Sequence, residues 1–505
     1  MWLSNTKAGS DEDTLVQLVA RHAAHIPEKT AFTFLGETGA EERNVTFSEL
    51  HSDAMAIAAR IGQLDVFQRP VMLLFPTGED FVRAFLGCLY AGAIPVPVPL
   101  PSGESHDFAH VRHVLSDATP ACVLVDECWR GRMVTYFRTQ LDADVVVSSI
   151  SALAKDDSEP WVAPDIGPDV LALLQYPWAA MNPPKGVMVD HRNLLDNSAL
   201  MQARWGSHEH SVHGSWLPLH HAMGLVGVVV QVLYEGSTGV LLSPRAFAER
   251  PYLWLRLIGD YGVDIAGAPN GGYEHCIERV SDHQLAGVDL SGWRVAINAA
   301  EPVREETLRR FSARFSRNGF SSQAHMPCYG LIESTLCVCA CDRPKAPNVL
   351  YVDGGDLIDR KTVTPDPCGT PLVACGSVRG DPASSLDVRI VDPDSRRALG
   401  VDRVGEIWIS GSSVARGYLG SHEDTSATFR AQIRGRPGTY YLRTGDLGFI
   451  HAGELFVTGR RAVSTAFSGR ADTPSSTFPV GPYAALELET RCPAPATQTS
   501  ASHGG

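Results

Sequence analysis

The sequence predicts an α/β fold made of more than one unit, with parallel sheets first and a β-rich region late in the chain. Three observations carry this reading. Short apolar runs alternate with amphipathic helical stretches, the order that parallel-sheet crossovers require. At 505 residues the chain is too long for one hydrophobic core, so about two to four units are expected. Past residue 374 helical periodicity yields to strand candidates at 386–392, 404–410 and 440–442.

The first unit covers residues 1–168. Asp13-Thr14 caps an amphipathic helix over LVQLVARHAAHI. Strand candidates at 31–34 and 44–47 precede a helix over 47–64. VMLLF reads as a buried strand, followed by a helix over 79–90 and the extended Ala93-Ile94-Pro95-Val96-Pro97. The alternation repeats with helices at 107–115 and 130–141 and strands at 122–126 and 145–148. Nothing here carries chemistry, and the lobe reads as packing scaffold. Residues 155–168 are polar, with Pro160, Pro164 and Pro168, and read as a linker.

The second unit covers residues 169–373. A strand over 169–176 delivers a loop that ends in Pro184-Lys185-Gly186-Val187-Met188-Val189. A helix over 227–234 and a strand over 240–243 follow. Next come a helix over 247–261, a strand into a helix from Ile265 to Tyr273, a strand over 293–298, and an amphipathic helix over 305–318. Residues 342–373 are punctuated by proline and glycine. A β-rich unit then occupies 374–461. Residues 462–505 have no period, are rich in Ser, Thr, Pro and Ala, and read as a disordered tail.

Composition narrows the function. Apolar content of 44% and charged content of 20% are those of an ordinary globular protein. A net charge of −14 argues against nucleic acid or an anionic membrane as the main partner. The longest apolar run, 225–242, is interrupted by Gln231 and Glu235, so no membrane span is expected. The opening residues have no apolar signal region, and a cytoplasmic address is expected. The eleven cysteines show no paired framework, and Cys337, Cys339 and Cys341 alternate as on one strand face. His208, His210 and His213 sit in a polar stretch without a carboxylate pattern that would complete a metal site.

Four motifs carry the chemical reading. They are PPKGVMVDHRN from Pro183, WLPLHHAMGL from Trp216, Asn298-Ala299-Ala300-Glu301-Pro302, and Tyr329-Gly330-Leu331-Ile332-Glu333. Later come Val414-Ala415-Arg416-Gly417-Tyr418, Arg443-Thr444-Gly445-Asp446 and Thr458-Gly459-Arg460. Any one alone would be unremarkable. Together, in this order, they resemble the adenylate-forming enzymes, and most of all the fatty acyl-AMP ligases. The resemblance covers roughly residues 13–461.

The resemblance implies two α/β lobes plus a β-rich subdomain, forming the large N-terminal domain of that family. It implies ATP and Mg²⁺ as cofactors, a fatty acid as substrate, and an acyl carrier protein or polyketide synthase carrier domain as acceptor. Carried over residue by residue, Lys185, His221 and Glu333 would be catalytic, with Glu333 also holding Mg²⁺. Ala300, Glu301, Tyr329, Gly330, Asp446 and Arg460 would bind the nucleotide. Trp216, Met223, Gly224 and Tyr273 would line the acyl pocket. The plain alternative for His221 is a buried, hydrogen-bonded histidine. Residues 342–373 correspond to an insertion of the acyl-AMP ligase branch, which favours that branch over acyl-CoA ligases.

The chain departs from the family at several places. Pro177-Trp178-Ala179-Ala180-Met181 replaces the phosphate-gripping Thr-Ser-Gly-Ser-Thr. Pro177 has no N–H, and the three residues that follow Trp178 bring no side-chain donor. His220 stands for Tyr, Ala222 for Asp, and Ala299 for Gly, and Gly271 has lost a Phe ring. After Arg461 the family continues with a small domain bearing a catalytic lysine. Residues 462–505 do not resemble it, and a reading-frame shift near codon 461 is expected. The resemblance thus implies acyl-adenylate formation with impaired activity. Two alternatives stay open: a dead relic that still binds nucleotide or acyl chain, and an acyl-CoA ligase.

Overall fold

The computed structural model describes residues 14–101, 105–141, 145–153, 160–177, 184–378 and 385–461. The expected tail, 462–505, and the loop residues Trp178 to Met181 lie outside the described residues.

Twenty strands are described, in chain order. They are β1 (Thr30–Leu35), β2 (Glu41–Thr46), β3 (Pro70–Leu74), β4 (Ile94–Pro97), β5 (Cys122–Val125), β6 (Val146–Ser149) and β7 (Leu171–Gln175). Then follow β8 (Val187–Asp190), β9 (Val212–Ser215), β10 (Thr238–Leu242), β11 (Ile265–Ala268), β12 (Val295–Asn298), β13 (His325–Gly330) and β14 (Cys337–Ala340). The last are β15 (Val349–Val352), β16 (Thr370–Ser377), β17 (Asp387–Val391), β18 (Gly405–Ser410), β19 (Leu442–His451) and β20 (Glu454–Arg460).

They form an eight-stranded sheet in the order β14-β13-β12-β11-β9-β10-β1-β2, parallel except for its two edge hairpins. A four-stranded parallel sheet, β4-β3-β5-β6, makes the core of the first lobe. The third sheet is antiparallel, β15-β16-β20-β19-β18-β17, and β7-β8 is a separate hairpin.

Local sequence explains the first turns. Thr14 accepts from the Gln17 amide and Gln17 reaches back to the Thr14 N–H, a reciprocal cap for the helix Leu15–His25. Thr46 and Glu49 do the same for Phe47–Ile61, and Asp190 and Asn193 for His191–Trp205. Apolar faces of these helices pack on the large sheet. Its opposite face carries a second core of aromatic rings, including Trp254, Trp293, Phe311 and Phe315. Among the described residues eight cysteines are buried free thiols, and Cys368 is an exposed one. No described helix is long and apolar enough to cross a membrane.

Four expectations need correction. The hairpin β1–β2 joins the second lobe's sheet through β1–β10 pairing, so the first lobe is not one contiguous segment. Strands β15 and β16 join the third sheet, so the expected boundary at 373/374 falls within β16. The helix expected over 247–261 is two, Pro244–Glu249 and Tyr252–Asp260, because Pro251 cannot supply the N–H that would continue the first. The helix expected over 227–234 is a π-helical turn, Leu225–Val230, followed by an α-helical turn, Gln231–Glu235. Such wide turns often sit at functional sites, and this one puts Gly227 and Val228 on a cavity wall.

Candidate active site

A cavity of about 900 Å³ lies between the carboxyl ends of the large sheet and the third sheet. Parallel sheets place their ligand clefts at this end because loops there diverge.

At one end, antiparallel pairing sets Asp446 of β19 opposite Arg460 of β20. The Arg460 Nε lies 3.5 Å from Asp446 Oδ1. Tyr329, in β13, donates its hydroxyl to Asp446 Oδ2 at 2.8 Å. The Asp446 amide donates to Thr444 Oγ1 at 3.0 Å, and the Thr444 hydroxyl donates to the Ile407 carbonyl at 2.8 Å. A carboxylate has about four acceptor positions, so Asp446 keeps capacity for a ligand's hydroxyls. Burial pushes the Asp446 carboxyl above the ordinary aspartate range, and Arg460 opposes this only in part.

A pH dependence follows. A ligand hydroxyl donates to the ionised carboxylate, so binding favours the deprotonated form. Affinity for an adenosine nucleotide is expected to be full above the raised Asp446 pKa. Below it, affinity falls by about tenfold per pH unit, starting at a higher pH than an ordinary aspartate would give. Asp446→Asn should bind weakly and show a flat profile over that window. Equal pH profiles for the two proteins, measured by AMP titration calorimetry, would refute the assignment.

Next along the cavity is Glu333. It sits in the 3₁₀ turn Ile332–Ser334, which ends at Thr335 with φ 66°. A β-branched residue rarely takes that conformation, and the Thr335 hydroxyl donates to the Ser413 carbonyl at 2.7 Å to hold it. Tyr418 donates its hydroxyl to Glu333 Oε1 at 3.0 Å. The Lys185 ammonium lies 5.3 Å from the Tyr418 ring centroid and 2.5 Å from Asp424 Oδ2. Lys185 is placed there by pairing across the two units. The Leu419 amide donates to the Gly186 carbonyl at 2.8 Å, and the Met188 amide to the Gly417 carbonyl at 2.9 Å.

Among the described residues no group of three or more His, Cys, Asp or Glu side chains could hold a metal. Mg²⁺ needs no such cage, because one or two carboxylates plus phosphate oxygens suffice. Glu333, with one oxygen engaged by a neutral tyrosine, fits that donor set.

Ala299, Ala300 and Glu301 border the same space. Ala300, not Ala299, adopts the left-handed conformation, at φ 72°. Glu301 lies 3.8 Å from the Arg304 guanidinium and accepts from the Gly271 amide at 3.4 Å. His221 caps the short helix that follows it, its Nδ1 accepting from the Met223 amide at 3.2 Å. Burial lowers its pKa to about 4, so it is neutral at physiological pH with Nε2–H left as donor.

The far part is apolar, bordered by Met201, Met223, Val228, Ile265 and Ile297. Of the expected pocket residues only Met223 lines it. Trp216 is fully buried on the other sheet face, its ring stacked on Phe247 at 3.8 Å. Tyr273 is also fully buried there and donates to the Ile297 carbonyl at 2.7 Å. Strand alternation explains the first case: His213 and Ser215 border the cavity, while Trp216 takes the opposite face. Gly224 serves packing, since a Cβ there would sit 2.3 Å from the Pro218 carbonyl oxygen. Lys185, His221, Glu333, Ala300, Glu301, Tyr329, Gly330, Asp446 and Arg460 all border the cavity.

Sequence reasoning missed Tyr418, Asp424 and His213. Tyr418 stood in a quoted motif without a role. Asp424 meets Lys185 from far along the chain and carries no local signal, and His213 was weighed only as one of three histidines for a metal.

The fold and this cleft are those of a nucleotide-binding, adenylate-forming protein, and the chain belongs to the AMP-binding enzyme family, which matches residues 19–419. Among its relatives is the medium-chain-fatty-acid–[acyl-carrier-protein] ligase JamA of Moorena producens, 36% identical over 470 residues, covering 91% of this chain and 79% of that protein. The 4-hydroxyphenylalkanoate adenylyltransferase of Mycobacterium tuberculosis is 34% identical, covering 90% of this chain and 75% of its own length. A fatty acyl-adenylate ligase from L. pneumophila, solved with acyl adenylate and pyrophosphate, superposes with a TM-score of 0.83 at 35% identity. That match covers 90% of this chain and 79% of the other.

Proposed function

We propose that this chain activates a fatty acid with ATP to an acyl-adenylate and hands the acyl group to the phosphopantetheine thiol of a carrier protein. The observation that carries this reading is one cavity that begins at Tyr329, Asp446 and Arg460, passes Glu333, Lys185 and His221, and ends among apolar side chains. It can hold a nucleoside, a reacting centre and an aliphatic chain in line. The ligase and adenylate-bound relatives support the same substrates.

In this reading Asp446 accepts from the ribose hydroxyls, with Tyr329 and Arg460 fixing its orientation. Neutral His221 donates Nε2–H to the fatty-acid carboxylate and orients it. A carboxylate oxygen bonds to the α-phosphorus as the bond to the pyrophosphate oxygen breaks, so the chemistry is mainly positioning and charge neutralisation. Lys185 offers a positive charge to the phosphates. Glu333 would hold Mg²⁺, which would supply further charge neutralisation at the phosphates.

A second reading, a relic that binds nucleotide without phosphate chemistry, is favoured by Pro177, Ala222 and the salt bridge that engages Lys185 with Asp424. Mass spectrometry after incubation with Mg-ATP and mixed medium- and long-chain fatty acids separates the two. Acyl-AMP is the expected product. Its absence from protein that still binds AMP would favour the relic, and acyl-CoA formed on adding CoA would move the assignment to a CoA ligase.

A further inference from the structure

The first lobe reads as scaffold in the sequence, yet one of its helices reaches the residues around Lys185. That helix, Ser105–Ala118, is pinned by Val111 and Val114, which are fully buried in a core that also holds Leu174 and Tyr176. His113 and Asp117 stand four residues apart on it, so they share a face, one turn from each other. Each holds a different part of the phosphate-loop motif. His113 Nε2 lies 2.6 Å from the Pro184 carbonyl oxygen. A carbonyl only accepts, so this nitrogen is the donor. The Tyr176 hydroxyl donates to Asp117 Oδ2 at 2.6 Å.

Lys185 depends on these contacts. Its side chain is 43% exposed, so burial does not fix where the ammonium points. The backbone on either side of it does. The Pro184 carbonyl is held by His113, and the Gly186 carbonyl by the Leu419 amide at 2.8 Å. Gly186 also lies against the Tyr176 ring, where a Cβ would sit 2.6 Å from the phenolic oxygen and 2.7 Å from Cζ. Asp117 holds that ring by its hydroxyl. A charge on a flexible stem is well aimed only from a fixed base. Misplacing a positioned group by about 1 Å can cost about a hundredfold in rate. His113 itself is not among the residues that border the cavity, so it acts through the chain and not on a ligand.

We infer that His113 is a positioning residue for Lys185, seconded by Asp117 through Tyr176, and that the first lobe thereby sets the grip on the ATP phosphates. The adenosine end, at Tyr329, Asp446 and Arg460, belongs to other elements and is left untouched. The inference deepens the reading above and rests on the role it gives Lys185.

The test is titration calorimetry of the intact protein with Mg-ATP and with AMP, without fatty acid, so that no adenylate forms. Four proteins make a cycle: the parent, His113→Leu, Lys185→Ala and the double variant. Lys185→Ala should weaken Mg-ATP about tenfold or more and leave AMP near the parent. His113→Leu should weaken Mg-ATP about fivefold, as the loss of one net hydrogen bond gives, with AMP unchanged. Added to Lys185→Ala, it should cost nothing further. His113→Gln, whose amide donates at similar reach, should return Mg-ATP affinity to within about twofold of the parent. If His113→Leu does not fold, Tyr176→Phe carries the same cycle, since it removes only the hydroxyl that Asp117 holds. A merely structural role would weaken AMP as much as Mg-ATP, or weaken Mg-ATP equally with and without Lys185. Either result would overturn the inference and leave the proposed function standing. Mg-ATP affinity unmoved by His113→Leu, or by Lys185→Ala, would do the same. Failure of the parent to bind either nucleotide would overturn both.

Discussion

Replacing residues 177–181 by Thr-Ser-Gly-Ser-Thr is expected to raise acyl-adenylate formation by roughly four orders of magnitude. Hydrogen bonds to charged groups contribute roughly 1.5–3 kcal/mol each, and about three are at stake, with tenfold in rate for each ~1.4 kcal/mol. Pro177 borders the cavity and has no N–H to give, and the alanines and methionine that follow bring no hydroxyl. Lys185 alone does not compensate. It is a single charge on a flexible stem, and Asp424 already engages it at 2.5 Å, so ATP phosphates must compete for it. The gain should appear mainly in kcat/KM for ATP, with AMP affinity unchanged, because the proposed AMP site lies at the Asp446 end. The check is single-turnover adenylate formation by both proteins, with melting curves to confirm equal folding. Equal rates would show that the replaced loop is not the lesion.

Legibility of the fold followed the range of the interactions. Helices with a reciprocal cap and an apolar stripe, such as Leu15–His25, are written in a few adjacent residues and were found to within a residue or two. The pairing of β1 with β10 joins residues about two hundred positions apart, and nothing local in either strand announces it. The site divides in the same way. Tyr329, Glu333, Asp446 and Arg460 were readable because each lies in a motif whose order along the chain is distinctive. Trp216 and Tyr273 were misplaced although their motifs were found, since a motif gives the strand or helix but not which face a side chain takes. His213 looked like one of three histidines in a polar stretch. The structure instead pairs it with the buried Glu235 carboxylate.

Gly330→Ala is expected to destabilise the fold by about 3 kcal/mol or more and to abolish nucleotide binding. This residue is not a glycine for flexibility, because a Cβ there would lie 1.8 Å from the Leu336 carbonyl oxygen and 2.8 Å from its carbon. Both are backbone atoms, so no side-chain rotation relieves the clash, and overpacking that backbone must absorb sits at the costly end of its range. Gly330 pairs with Cys337 where the β13–β14 ladder already breaks register after Tyr329. Opening that hairpin would move Tyr329 on one side and the strained turn bearing Glu333 on the other. The hydroxyl bond to Asp446 and the Tyr418–Glu333 bond would then be lost together, which explains why one methyl should remove binding. Gly459→Ala is the control: it neighbours Arg460 at the opposite wall, and an added Cβ meets nothing within 4 Å. It should leave both stability and AMP affinity near those of the parent. Thermal inactivation and AMP titration of the two variants decide the matter, and a Gly330→Ala protein with parental stability and affinity would show that this hairpin does not set the site.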